Sequence, residues 1–402
     1  MNLNVTFLPG GSVTSPQGFR AGAVCAGIKK KGGYDLGILA SERSCAAAGL
    51  FTANRIKAAP VVLSQRWLQS GKASAVVVNS GCANACTGEQ GMADAIEMAR
   101  LAGEVAGVPA EEVLVASTGV IGQPLPMDIV REGIKKIAFS LDGGSELAKA
   151  IMTTDTVPKA AAVKPEGASY TIGGIAKGSG MIHPNLATFL CFLTTDANVD
   201  KDFLKQALSK AAEVSFNMVS IDGDTSTNDS VFLLANGMAG NDLITKKTSW
   251  QGEVFQQALN HLCIYLAKMV ARDGEGATRL IEVTVENAPN VYAARLAART
   301  VVGSSLVKAA VYGADPNWGR IMAALGRSGV EVVEDRIDLY IGNICMLKAG
   351  KPQPFNRTEA VKLLSGKEVQ IRVNLNLGIG SATAWGCDLT KEYVTINSAY
   401  TT

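Results

Sequence analysis

From Ser249 onward, Phe255, Leu259, Leu262, Leu266 and Met269 recur at steps of three and four residues, laying one apolar stripe along a helix. Around that helix the chain switches repeatedly to another pattern. SAVVVN (74–79), EVLVAS (112–117), TFLCFLTTDA (188–197), SVFLLAN (230–236), LIEVTVENA (280–288) and VQIRVNLNLG (369–378) read as strands. GMADAIEMARLAGEVAG (91–107) and KDFLKQALSKAAEVSF (201–216) return to the helical spacing. Strands and helices interleaved this closely predict a layered α/β protein. With 402 residues, 47% of them hydrophobic, the chain can bury more than one core, and two domains are the prior expectation. The stretch richest in Gly and turn residues, KPEGASYTIGGIAKGSG (164–180), is where it would divide.

Charged residues make up 18% of the chain and the formal net charge is +2, which points away from nucleic-acid and membrane-surface partners. The N-terminal MNLNVTFLPGG lacks the basic and apolar regions of a signal peptide, and no apolar run approaches the ~18 residues of a membrane span. The eight cysteines are irregularly spaced and read as reduced, mostly buried thiols. A soluble cytoplasmic protein is expected. The 42 glycines are spread through many short turns and mark neither a linker nor a repeat.

Several familiar chemistries lack their residues. Of the two histidines, His261 shares the polar side of its helix with Gln257 and Lys268 and reads as solvated. His183 has no located partner for a Ser-His-Asp triad. CANAC (82–86) has no second ligand pair at zinc spacing. DGDTSTND (222–229) starts like a calcium loop but places Thr227 where Gly is needed and is followed by Leu233 where Glu is needed. There is no P-loop, and GIGSAT (378–383) breaks the dinucleotide pattern at its third glycine. Neither a metal nor a bound cofactor is expected.

What remains is chemistry by hydroxyls, backbone amides and a few charges. In MIHPNLATFLCFLTTDA (181–197), a stiff lead-in through Pro184 meets the small Ala187, and Thr188 opens an apolar strand. One reading is an ordinary loop-to-strand junction. The other is that the chain cuts itself: Thr188 Oγ attacks the carbonyl of Ala187, the ester hydrolyses, and the freed α-amine of Thr188 serves as base to its own hydroxyl. An α-amine titrates near ~8, suitable for that role at neutral pH. Acyl transfer also needs an oxyanion hole. The strand ending in Ser117-Thr118-Gly119 offers a hydroxyl and a glycine amide, although it also reads as a plain strand-to-turn junction.

Taken together, these segments resemble the ornithine acetyltransferase family, also called glutamate N-acetyltransferase or ArgJ. KGSGMIHPNLATFLCFLTTDA resembles its self-cleavage segment and ASTGVIG its oxyanion segment. The likeness continues through SGCANACTG (80–88), MTTDTVPK (152–159), SIDGDTSTND (220–229), ARDGEGATR (271–279), YGADPNWGRI (312–321) and EYVTINSAYTT (392–402), across essentially the whole chain. One departure is that the usual PNMATM carries Leu186 and Phe189, both apolar for apolar.

The resemblance implies the family's α/β fold, a layered α-β-β-α sandwich of the self-cleaving ArgJ/DmpA-like type. It implies cleavage between Ala187 and Thr188 into an α chain, 1–187, and a β chain, 188–402, assembled as an α2β2 heterotetramer. Thr188 would be the nucleophile, Thr118 and Gly119 the oxyanion pair, and Thr154, Lys177, Thr188, Glu275, Asn397 and Thr402 the substrate contacts. The implied reaction moves an acetyl group from N-acetylornithine to glutamate in arginine biosynthesis, with acetyl-CoA a further candidate co-substrate. A pocket carrying both Lys177 and Glu275 suits substrates whose side chains are first cationic, then anionic. An aminopeptidase of the same fold and a non-catalytic, unprocessed protein are the alternative readings. If Asn397 and Thr402 belong to the site, the C-terminal tail must dock over it, since termini are usually loose.

Overall fold

The computed structural model describes residues 4–30, 32–183, 189–245 and 249–399. The strand-like runs fold as Lys72–Cys82, Val113–Val120, Leu190–Thr195, Ser230–Ala235, Leu280–Ala288 and Glu368–Asn374. The helical runs fold as Gly88–Ala106, Lys201–Val214 and Trp250–Arg272. Two of these helices start on side-chain caps: Asp200 accepts from the amides of Asp202 and Phe203, and Ser249 from that of Gly252.

The long strand Leu36–Phe51 lies at the centre of a nine-stranded sheet. Its first part pairs with Phe19–Val24 and Lys72–Cys82, its last part with Ser230–Ala235. Side-chain alternation then sets the layers. Ile38, Val77 and Val115 face helices Ala59–Trp67, Gly88–Ala106 and Met127–Lys135. Their neighbours Leu39, Val76, Val78 and Leu114 face the other way and pack with Leu190, Phe192, Phe232 and Leu234. The opposite face of those partner strands, Cys191, Leu193, Val231 and Leu233, lies in one core with helices Lys201–Val214 and Trp250–Arg272. The result is an α-β-β-α sandwich made by one bent sheet. A second, seven-stranded sheet adds Val283, Val285 and Ala384 to the core around helix Trp250–Arg272. No helix among the described residues is long and apolar enough to cross a membrane.

The glycine-rich stretch 164–180 is not a linker. Strands Lys159–Pro165 and Ile172–Lys177 pair antiparallel within the large sheet. Glycine there serves close packing: a Cβ on Gly173 would stand 2.1 Å from the Ser12 carbonyl oxygen.

One buried ion cluster ties this region together. Lys159 is fully buried, with Nζ 2.7 Å from Asp155 Oδ1 and 2.6 Å from Asp273 Oδ2. Asp155 also accepts from the amides of Thr153 at 3.1 Å and Gly178 at 2.7 Å, and Asp273 from the Thr156 amide at 3.0 Å. Burial alone would raise the Asp155 pKa, but the charges of Lys159 and Lys177 outweigh it and hold the carboxyl at about 2. A carboxyl lowered in this way stabilises the fold above its ordinary value of 3.8, and that contribution fades as pH falls towards 2. Lys159→Met should therefore cost about 3–5 kcal/mol in a urea titration at neutral pH. The gap to the parent should narrow below pH 3.8, and a gap independent of pH would contradict this account.

Candidate active site

The strand Val113–Val120 runs parallel to Lys72–Cys82, and their pairing becomes irregular where Gly81 faces Gly119. Gly119 has φ +132°, and a Cβ on it would sit 2.3 Å from the Gly81 carbonyl carbon, so only glycine fits. Asn228 staples this strand end, its Nδ2 donating to the carbonyls of Ala83 at 2.6 Å and Ser117 at 2.9 Å. Thr118 is thereby held beside Lys177, the last residue of its strand. Lys177 Nζ donates to Thr118 Oγ1 at 3.2 Å and to Thr153 Oγ1 at 2.9 Å. Burial pushes the Lys177 pKa down, while the nearby Asp155 opposes that shift.

Beyond the strand, Thr154 Oγ1 lies 2.6 Å from Ser179 Oγ, and the Ser179 carbonyl accepts from the Glu275 amide at 2.8 Å. The buried Glu275 carboxylate accepts from Asn397 Nδ2 at 2.7 Å. Gly180 makes room for it, since a Cβ there would come within 2.5 Å of the carboxyl carbon. Asn397 stands on helix Lys391–Ala399. Just before that helix, Thr390 Oγ1 donates to the Gly276 carbonyl at 2.8 Å. The chain end is thus docked at the site through residue 399.

Thr118, Gly119, Thr154, Lys177, Glu275 and Asn397 line one cavity of about 100 Å³. Ala187, Thr188 and Thr402 lie outside the described residues, as do Pro184 and Leu186. Both described flanks of residues 184–188 are anchored. On one side Phe189, the covalent neighbour of Thr188, lines the cavity, and its carbonyl accepts from the Ser230 amide at 3.1 Å. On the other, Asp222 accepts from the amides of Met181 at 2.5 Å and Ile182 at 2.9 Å, and Thr225 Oγ1 donates to the His183 carbonyl at 2.9 Å.

His183 bonds Ser220 Oγ through Nδ1 at 2.9 Å, and its Nε2 faces an Arg299 nitrogen at 3.3 Å. Because arginine only donates, Nε2 accepts, which leaves the ring proton on Nδ1. Burial and the Arg299 charge both lower the pKa of His183. Among the described residues no carboxylate hydrogen-bonds its ring. His261 is exposed.

Sequence reasoning missed two members of the site. Thr153 adjoins Thr154 in the MTTDTVPK segment. Asp229 closes the SIDGDTSTND segment, lines the same cavity and is buried. Burial pushes the Asp229 carboxyl well above the usual carboxylate range, and its Oδ2 has no hydrogen-bond partner among the described residues. Both segments were visible as motifs, but a side chain's direction into a cavity is not.

The cavity joins a bent glycine strand end, a hydroxyl polarised by a buried ammonium, and a buried carboxylate at the other end. This is a polar cavity suited to a small, charged molecule, carried by an α-β-β-α sandwich. The chain belongs to the ArgJ family, whose profile matches residues 20–402. Two relatives named "Arginine biosynthesis bifunctional protein ArgJ" align along essentially their whole lengths. That of Dehalococcoides mccartyi is 54% identical over 100% of both chains. That of Symbiobacterium thermophilum is 55% identical over 98% of this chain and 99% of its own. A crystal structure of the Bacillus halodurans protein of that name is 49% identical, with a TM-score of 0.50, over 52% of this chain and 97% of the solved one.

Gly119→Ala should destabilise the protein in thermal unfolding far more than Gly122→Ala. At Gly122, φ is +80° but the space is open, so the cost there is about 1–2 kcal/mol. Equal losses would mean that the approach of Gly119 to Gly81 is not a tight one.

Proposed function

We propose that this chain is a self-cleaving acetyltransferase that moves the acetyl group of N2-acetylornithine to glutamate, giving ornithine and N-acetylglutamate in arginine biosynthesis. The observation that carries this reading is the convergence of Thr118, Gly119, Thr154, Lys177, Glu275 and Asn397 on one cavity walled by Phe189. Family membership and the names of full-length relatives support it. Cleavage before Thr188 also draws support from the Bacillus halodurans structure, in which about half of this chain accounts for 97% of the solved chain.

The chemistry follows from the geometry together with the freed terminus. The Thr188 hydroxyl attacks the acetyl carbonyl while the Thr188 α-amine takes its proton. Because Lys177 donates to Thr118 Oγ1, the Thr118 hydroxyl keeps its own proton to donate to the developing oxyanion, beside the Gly119 amide. The C–N bond breaks, the amine returns the proton to the departing ornithine, and acetyl-Thr188 remains. Glutamate's amine then attacks that ester and restores the hydroxyl. The buried Glu275 carboxylate suits a cationic side chain, and the Lys177 ammonium at the other end suits a carboxylate. The two fragments, 1–187 and 188–402, assemble as an α2β2 unit.

Denaturing mass measurement should find two fragments dividing before Thr188, and Thr188→Ala should leave one uncut chain. Acetylornithine consumption should require glutamate. Turnover without glutamate would make the protein a hydrolase, and an uncut yet active chain would refute the mechanism. Thr118→Ala should be cleaved slowly and, once cleaved, should lose about 10²–10³-fold in kcat with little change in KM. A loss confined to KM would remove Thr118 from the oxyanion.

A further inference from the structure

Asp229 is 2% exposed and lines the cavity together with Thr118, Lys177 and Phe189. Its backbone is fixed on every side. The Asp229 carbonyl accepts from the Thr52 amide at 3.0 Å, and the preceding Asn228 holds the carbonyls of Ala83 and Ser117. The following Ser230 opens a strand parallel to Leu190–Thr195, with Ser230 opposite Leu190 and its amide bonded to the Phe189 carbonyl. Asp229 therefore stands level with Phe189, where the two strand ends meet the cavity.

Three charged residues line the cavity among those described, and two are already engaged. Lys177 Nζ donates to Thr118 and Thr153, and Glu275 accepts from Asn397. Asp229 differs, because its buried Oδ2 has no hydrogen-bond partner among the described residues. Burial pushes this carboxyl well above the usual carboxylate range, against the opposing pull of Ser226, Lys177 and Thr52. A buried carboxylate is costly without a partner, so such a group keeps its proton until a cation stands beside it.

Acetyl transfer brings that cation twice. The α-amine of ornithine leaves and that of glutamate enters at the same acetyl carbon, and each is largely an ammonium in neutral water. A neutral amine beside the acetyl ester is the nucleophile of the reverse reaction, so protonation commits the product to leave. Glutamate has the opposite need, since its ammonium must lose a proton before it can attack. We propose that Asp229 is a catalytic residue that carries this proton between the two half-reactions. The inference rests on the acetyl-Thr188 reading given above.

The protons balance. In the first half the amide C–N bond breaks, and the Thr188 hydroxyl proton reaches the departing nitrogen through the terminal amine. Asp229 then donates its own proton, and ornithine leaves as an ammonium beside a carboxylate. In the second half that carboxylate takes one proton from the ammonium of glutamate. The free amine forms the new C–N bond, the ester C–O bond breaks, and the second amine proton returns through the terminal amine to the Thr188 oxygen. Asp229 ends protonated, as it began.

The test compares two nucleophiles on acetyl-enzyme made from N-acetylornithine and freed of ornithine. Glutamate arrives as an ammonium, whereas hydroxylamine is already a free base at neutral pH. In Asp229→Asn, discharge by glutamate should slow about 10²-fold or more, while hydroxylamine discharges variant and parent alike. Equal slowing with both nucleophiles, or none with either, overturns the proton-carrying role and leaves the acetyl-enzyme standing. The parent gives a second readout that does not need the variant to fold. Its ratio of glutamate to hydroxylamine discharge should level off below the pKa of the glutamate ammonium, because Asp229, with Lys177 and Glu275 as the other charged lining residues, removes the proton within the cavity. A ratio that climbs about tenfold per pH unit up to that pKa places the deprotonation in bulk water and overturns the proposal. Parent enzyme that forms no acetyl-enzyme overturns the proposed function as well.

Discussion

The Lys159 ammonium, buried between Asp155 and Asp273, is the interaction on which the site depends. Charges taken out of water are costly unless paired, so this arrangement tolerates little displacement. Asp155 fixes Thr153 through its amide and the Lys177–Gly178 strand end through another. Asp273 ends helix Trp250–Arg272 two residues before Glu275. One ion cluster therefore sets the separation between the Lys177 and Glu275 ends of the cavity, while none of its three residues lines that cavity.

From that anchor a chain of donors runs into the cavity. Lys177 gives hydrogen bonds to two threonine hydroxyls, which leaves the Thr118 hydroxyl its own proton to donate. The charges of the cavity are held near balance: the Lys177 pKa is depressed by burial, and burial pushes the Asp229 carboxyl well above the usual carboxylate range. Under the proposed reaction, in which a cationic and then an anionic side chain enters, ionisable groups held this close to balance suit both.

Much of the fold was legible because it rests on periodicity. The stripe from Phe255 to Met269 and the runs at 74–79 and 230–236 each became the element their spacing implied. The strand Leu36–Phe51 was not, because Glu42, Arg43 and Ser44 break its apolar run. Those exposed residues fall where its pairing with Lys72–Cys82 slips, between Ala40 and Cys45. The stretch 164–180 suggested a boundary because glycine marks both flexible linkers and close packing, and only tertiary contacts tell them apart. Lys159 carried no signal, since a lysine in sequence looks solvated until its two carboxylates arrive from positions 155 and 273. Within the candidate site, Thr118 and Gly119 were visible as a hydroxyl and glycine at a strand end. Glu275 and Asn397 were reachable only through resemblance, because no local pattern shows that they meet.

The most direct test of the account is to catch the acyl-enzyme. Protein incubated with N-acetylornithine and no glutamate, then quenched in acid, should yield a fragment beginning at Thr188 that carries one acetyl group on that residue. Adding glutamate before the quench should remove it. Acetyl transfer at full rate with no acetyl group ever found on the Thr188 fragment would contradict the covalent mechanism.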